Sequence, residues 1–299
     1  MMAILLSSNF QWVLLSTTLL GIAAGMFGTL AYWRKQSLMS DALSHAALPG
    51  VVIAFMIMNE KNLPFLILGA GISALLGAFF IQAIKTSTRI KEDTAMGMIL
   101  SVFFGGGIML LTIANRSGGG NQSGLDSFIF GQAATMVQSD VYMMAGLAGL
   151  VILIIIVAFK EWKLFLFDPD FAKGLGYSLK GLNAVYLAVL VVTIVIGIQA
   201  VGVILMAALL IIPAVSARYW THSFKTMMGL SAAFGGISGA LGTFISAQGA
   251  GWPTGPFIVL AASCLFLVSL VIGKEKGLLI EWLEYRSLQR ESEPKGGKA

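Results

Sequence analysis

Seven stretches free of Asp, Glu, Lys and Arg divide the chain: 1–33, 42–59, 62–84, 94–115, 141–159, 181–217 and 226–273. A helix crossing a bilayer needs roughly 20 predominantly apolar residues, so the first five stretches predict one crossing each. The sixth runs for 37 residues and is interrupted at Gly197, Gln199 and Gly202. The seventh runs for 48 and breaks at Ser246 to Pro256 (SAQGAGWPTGP). Each of these two predicts a pair of helices. The expected fold is an all-α, polytopic membrane helix bundle of about nine transmembrane helices (about 8–10). It forms one domain over 1–299, with the bundle in 1–273, an inside loop at 160–180 and a tail at 274–299. The second crossing, at 42–58, is short and holds Pro49, and is expected to bend or to be partly re-entrant. No basic residue precedes the first apolar run, so that run reads as a membrane helix and not as a cleaved signal peptide.

Composition strengthens this picture. Hydrophobic residues make up 57% and charged residues 11%, against roughly 25% charged in an ordinary globular domain. The mean hydropathy is +0.87. A soluble globule, a disordered chain, a disulfide scaffold and a soluble nucleic-acid binder are all excluded. The net charge of +5 therefore points to Lys and Arg held on the cytoplasmic side. With the N-terminus outside and the crossings alternating, 17 of the 19 Lys and Arg fall inside; Lys61 and Arg116 are the exceptions. That bias predicts an outside N-terminus and a cytoplasmic C-terminus, and it requires two crossings in 181–217. The single cysteine, Cys264, can form no intrachain disulfide and reads as a small buried hydrophobe.

Little conventional chemistry remains. There is no phosphate-cradling G-x-x-x-x-G-K-[ST], no H-E-x-x-H and no paired cysteine motif. GAGISA (Gly69 to Ala74) mimics a dinucleotide fingerprint but lies within an apolar run with no strand before it. Among 35 glycines, Gly21 and Gly25, and Gly235 and Gly239, lie four apart, a spacing that lets helix backbones approach closely in lipid. One polar cluster enters a membrane run: Ser37-Leu-Met-Ser-Asp41-Ala-Leu-Ser-His45-Ala-Ala-Leu-Pro49-Gly50. Four residues apart, Asp41 and His45 share a helix face. A carboxylate oxygen and an imidazole nitrogen so placed can chelate one divalent ion, Mn, Zn or Fe(II) in preference to Cu(I). The competing assignment makes Asp41 a helix cap and His45 its bonded neighbour. Two ligands leave the coordination sphere open, to be filled by Ser44, Met39, water or a second copy of the chain. Asp140 suits a helix N-terminus, and His222 an inside interfacial loop.

At SLMSDALSHAALPG the chain resembles the manganese/zinc/iron permease family of ATP-binding-cassette importers. Ile90 to Gly97 (IKEDTAMG), Phe128 to Gln132 (FIFGQ), Phe167 to Gly176 (FDPDFAKGLG) and Val201 to Ala217 (VGVILMAALLIIPAVSA) resemble family segments in the same order. The resemblance spans roughly residues 10–273. Ser40 departs from it, standing where many relatives have Gly.

The resemblance implies the integral-membrane permease of a metal importer in a bacterial-type cell membrane. It implies a dimer with a second copy or a paralogue, two cytoplasmic ATP-binding subunits and an extracytoplasmic metal-binding protein. It carries the metal role onto Asp41 and His45. It places an ATPase-coupling helix at Asp168, Pro169, Asp170, Phe171 and Ala172, with Phe171 as apolar anchor. No intrinsic cofactor is expected: the cargo is Mn2+, or Zn2+ or Fe2+, and ATP acts through the partner subunit. Lipid is the surrounding partner and nucleic acid none. The outer loop 117–124 (SGGGNQSG) is a candidate docking site for the binding protein, and Leu278, Leu279, Trp282 and Leu283 suggest an interfacial helix in the tail. An ion-coupled secondary transporter would need a relay of ionisable groups through the bundle, and an intramembrane enzyme more than the two histidines present. Both rank below the importer.

Overall fold

In the computed structural model, described for residues 8–58, 62–117, 131, 136–249, 251–275, 277–280 and 282, the chain is helical, with no strand among the described residues. Eleven helices follow in order: α1 (Ser8–Trp33), α2 (Ser37–Met58), α3 (Leu63–Ser87), α4 (Glu92–Ser117), α5 (Gln138–Val157), α6 (Phe159–Phe167), α7 (Pro169–Gly174), α8 (Leu179–Val201), α9 (Val203–Arg218), α10 (Phe224–Ser246) and α11 (Thr254–Ile272). Eight of them are long and apolar enough to cross a membrane; α9, with 16 residues, is the shorter apolar one. At 1.5 Å per residue α9 extends about 24 Å, short of a hydrocarbon core of about 30 Å.

Each predicted pair of helices is present, and the breaks have distinct causes. Between α8 and α9 stands Gly202 alone, at φ 95°, a conformation costly for any residue with a Cβ. Other backbone crowds this turn: a Cβ on Gly131 would sit 2.4 Å from the Val201 carbonyl carbon, and one on Gly255 2.5 Å from the Val201 oxygen. The turn between α10 and α11 is tied by Ser246, whose Oγ donates to the Trp252 carbonyl at 2.8 Å. The second crossing is longer than its charge-free run suggests. Helix α2 starts at Ser37, takes Asp41 inside and continues through Pro49 to a total of 22 residues, so it spans about 33 Å.

Small residues set the packing. Against α1, α10 approaches backbone to backbone: a Cβ on Gly21 would lie 2.1 Å from the Gly235 oxygen, and one on Gly239 2.4 Å from the Thr17 oxygen. Two hydrogen bonds lock this seam, Ser231 Oγ to the Gly25 carbonyl at 2.6 Å and Thr17 Oγ1 with Thr243 Oγ1 at 2.8 Å. The glycine spacing read from the sequence is thus used for close helix packing. A second seam joins α2 to α3. There Gly50 and Gly69 face each other and Ser73 Oγ donates to the Ala46 carbonyl at 2.6 Å. Helix α9 packs against α1, α2, α10 and α11.

Candidate metal site and coupling face

Asp41 and His45 lie in the second and third turns of α2, about 6 and 12 Å along its axis from Ser37. His45 Nε2 stands 3.5 Å from Asp41 Oδ1, at the far limit of a hydrogen bond. With metal–ligand bonds of about 2.1 Å, that separation corresponds to a ligand–metal–ligand angle of about 113°. A right angle would need the two atoms to close to about 3.0 Å. The His45 ring meets Phe104 of α4 edge-on at 4.7 Å. Its Nδ1 is buried with no hydrogen-bond partner among the described residues. Pro49, having no N–H, cannot donate to the His45 carbonyl one turn back.

Around the pair, most of α2 is buried. Met39, Ser40, Ala42, Leu43, Ser44, Ala46, Ala47, Leu48 and Gly50 are all interior. Leu38 and Ile53 are exposed, Asp41 and Pro49 half-buried, and His45 mostly buried at the edge of the same stripe. These five succeed one another at intervals of three or four residues and so form one stripe. Of the pair, only the Asp41 carboxylate is substantially open among the described residues, at 36% exposure, while His45, at 14%, is packed behind it on Phe104. The structure does not add the neighbours suggested as further ligands: Ser44 Oγ donates to the Ser40 carbonyl at 2.7 Å, and Met39 packs in the core. Among the described residues no group of three or more His, Cys, Asp and Glu could hold a metal. Ser40 is buried and its Oγ bonds the Ser37 carbonyl at 2.9 Å.

Where the sequence suggested an inside loop at 160–180, two helices form. In α6 the amphipathic FKEWKLFLF buries Trp162. The six-residue α7 begins at Pro169, capped by Asp168, whose Oδ1 accepts from the Phe171 N–H at 3.0 Å. A carboxylate cap followed by Pro in the first turn is a strong helix start. Ala172 is fully buried and holds α7 to the body, whereas Phe171 is 55% exposed and Asp170 is open to solvent. The helix thus presents a large apolar ring that is left exposed among the described residues.

Cys264, expected to be buried, is instead exposed on α11; other expectations resolve more simply. The Val137 N–H donates to Asp140 Oδ2 at 3.4 Å, a capping role at the start of α5. His222 Nδ1 lies 3.2 Å from Glu275 Oε2, a pair 53 residues apart with no trace in local spacing. Leu278, Leu279 and Trp282 are exposed; Leu283, residues 118–124 and all of FIFGQ but Gly131 lie outside the described residues. Sequence reasoning passed over Arg34, between α1 and α2. Its guanidinium lies over the Phe165 ring at 4.7 Å and the Tyr186 ring at 4.3 Å. Burial lowers its pKa from the ordinary arginine value, while Tyr186 and Glu92 pull it back up.

Comparison with known proteins matches this architecture. The ABC 3 transport family matches residues 7–273. The manganese transport system membrane protein MntC of Bacillus subtilis is 48% identical over 94% of this chain, which spans 65% of that protein's length. The zinc transport system membrane protein TroC of Treponema pallidum is 43% identical over 91% of this chain and 92% of its own. Among solved structures, PsaBC from Streptococcus pneumoniae in complex with Fab superposes with a TM-score of 0.81 at 32% identity, over 96% of this chain and 100% of that one. With the helix order, the motif on α2 and a match over nearly the whole bundle in agreement, the chain belongs to the ABC 3 transport family.

Proposed function

We propose that this chain is the membrane-spanning permease of an ATP-driven importer of divalent metal, manganese before zinc or iron(II). It would work in the bacterial plasma membrane with its N-terminus outside and its C-terminus in the cytoplasm. The observation that carries this reading is the pairing of Asp41 with His45 on α2, the carboxylate partly exposed and the imidazole packed behind it on Phe104. A carboxylate left partly exposed on a membrane helix is costly and calls for a cover. A second copy, or a paralogue, laid on the same stripe supplies that cover. Two such faces bring two carboxylates and two imidazoles together, and the two negative charges balance one M2+ in a medium of low dielectric. The pair then serves as a transient ligand set for cargo handed over by an extracytoplasmic binding protein.

The driving force comes from partner subunits, since this chain carries no phosphate-cradling loop. Asp168 to Ala172 supply the docking element, with Phe171 as the apolar anchor in a groove of the ATPase. ATP binding and hydrolysis there shift α6 and α7, and the bundle exposes the metal pair to each side in turn. Such a shift requires the nucleotide-bound partners to interact differently with the two states. Manganese is favoured by the ligand set, which lacks thiolate, and by the name of the 48% identical relative. The zinc relative at 43% identity keeps zinc as the second reading.

The deciding test is uptake of labelled manganese and zinc, each competed by the other. The cells lack their own importers and express this chain with its ATPase and binding protein. Asp41→Ala should cut uptake at least tenfold while the complex still assembles. Full uptake by Asp41→Ala would remove the residue from the site, and zinc outcompeting manganese would select the second reading.

A further inference from the structure

The buried polar atoms without a hydrogen-bond partner among the described residues are unevenly distributed. Trp33 Nε1, Arg34 Nη1, Gln36 Oε1, Glu161 Oε2, Trp162 Nε1 and Tyr186 Oη all belong to one region, where the α1–α2 connection meets α6 and the first turns of α8. Buried polar groups are ordinarily paired, so each exception calls for an explanation. Arg34 stands at the centre. Its guanidinium lies over the rings of both Phe165 of α6 and Tyr186 of α8, contacts in which a planar cation is held by ring faces.

From Arg34 the contacts continue in two directions. Outward, Phe165 belongs to the same helix as Trp162 and precedes α7 by four residues, so the guanidinium touches the helix that leads directly into the one bearing Phe171. Inward, Arg34 lies within electrostatic reach of Glu92 at the start of α4. The Glu92 carboxylate accepts from Gln36 Nε2 with one oxygen and pairs with Lys85 Nζ through the other. Gln36 is the residue before α2, and its carbonyl accepts from the Met39 N–H at 3.0 Å. Arg34 is thus three residues ahead of the helix that carries Asp41 and His45. A cluster with more donors and acceptors than bonds can exchange partners when α6 moves, the property a two-state element needs.

We propose that Arg34 is the positioning residue through which displacement of α6 and α7 reaches α2 and the Asp41–His45 pair. The role rests on the permease reading above. Arg34 touches neither the metal ligands nor the exposed face of α7; it fixes one to the other. Two rings orient the guanidinium and Glu92 attracts it, so a movement of Phe165 alters its position relative to Glu92. Gln36 then carries the change into the first turn of α2.

The experiment uses the whole transporter, this chain with its ATPase and binding protein, reconstituted in liposomes. Its readout is metal moved per ATP hydrolysed, a ratio unaffected by the amount of folded complex. Arg34→Met should lower the ratio at least tenfold, with equilibrium metal binding by the complex within twofold of the parent. Arg34→Lys, which keeps a cation over the rings, should recover most of it. Phe165→Leu, which removes the ring on α6, should lower the ratio as well, and the double variant should lose no more than the worse single one. Phe165→Leu also carries the test if Arg34→Met does not assemble. An unchanged ratio in either assembled single variant overturns the role, as does a loss matched by an equal loss of metal binding. A parent complex that hydrolyses ATP and moves no metal would instead refute the permease reading itself.

Discussion

Gly50→Ala tests how closely the metal pair depends on the backbone contact behind it. Gly50 lies five residues after His45 on the buried side of α2, facing Gly69 of α3. An added Cβ would stand 2.0 Å from the Gly69 oxygen and 2.6 Å from Ser73 Cβ, where ordinary contact begins at 3.4 Å. The overlap with the carbonyl is thus about 1.4 Å, and the obstacle is backbone on a packed helix, with no rotamer to relieve it. Relief requires α2 and α3 to separate by about 1 Å, which stretches the 2.6 Å bond from Ser73 Oγ to the Ala46 carbonyl beyond hydrogen-bonding range. Overpacking costs about 1–3 kcal/mol and the lost interhelical bond about 0.6 kcal/mol. At about 2 °C per kcal/mol for a chain of this size, the thermal midpoint in detergent should fall by about 3–7 °C. Because α2 moves with its metal face, a 1 Å displacement should also reduce uptake on the order of a hundredfold. Gly71→Ala on α3, where a Cβ meets nothing within 4 Å, is the matched control and should leave both quantities near those of the parent. If Gly50→Ala matched Gly71→Ala in midpoint and uptake, the close approach would not govern the site.

Two further tests address the coupling face and the orientation. Phe171→Asp should weaken association with the ATPase at least tenfold in detergent pull-down without lowering the thermal midpoint of the isolated chain, because the ring is exposed and Ala172 anchors the helix; an intact complex would remove Phe171 as the anchor. In a Cys264→Ser background, Ser139→Cys ahead of α5 should be labelled by an impermeant thiol reagent from outside, and Lys173→Cys in α7 only after permeabilisation; the opposite pattern would invert the topology.

Much of the bundle was legible because membrane helices announce themselves by length and by the absence of charge. The pairing of α8 with α9 followed from run length and the positive-inside count, and Gly202 is the one residue of the interruption that adopts positive φ. The limits of α2 were less legible, since Asp41 was read as a boundary and instead lies inside the helix. Asp41 and His45 share a face, as four-residue spacing requires. That Asp41 stays partly exposed while His45 packs on Phe104 depends on where α3, α4 and α9 pack, which local spacing does not encode. The same applies to Gly50: it has no glycine four residues away, and its partner Gly69 lies on another helix. Arg34 looked like one of many inside cations because its rings come from α6 and α8, more than 130 residues later.

The turn at Gly202 bears on how the chain matures during synthesis. A connector of one residue gives α8 and α9 no slack to enter the bilayer separately, so they would leave the insertion machinery together as a hairpin. The first N–H groups of α9 lack intrahelical partners, and backbone polar groups left bare in hydrocarbon cost several kcal/mol each. Part of the cover over this turn is Gly255, whose missing side chain lets α11 close on Val201. That cover is translated more than fifty residues after the turn it shields. The hairpin would therefore wait, incompletely housed, until the last long helix arrives, and a chain cut short before Thr254 would be a substrate for degradation.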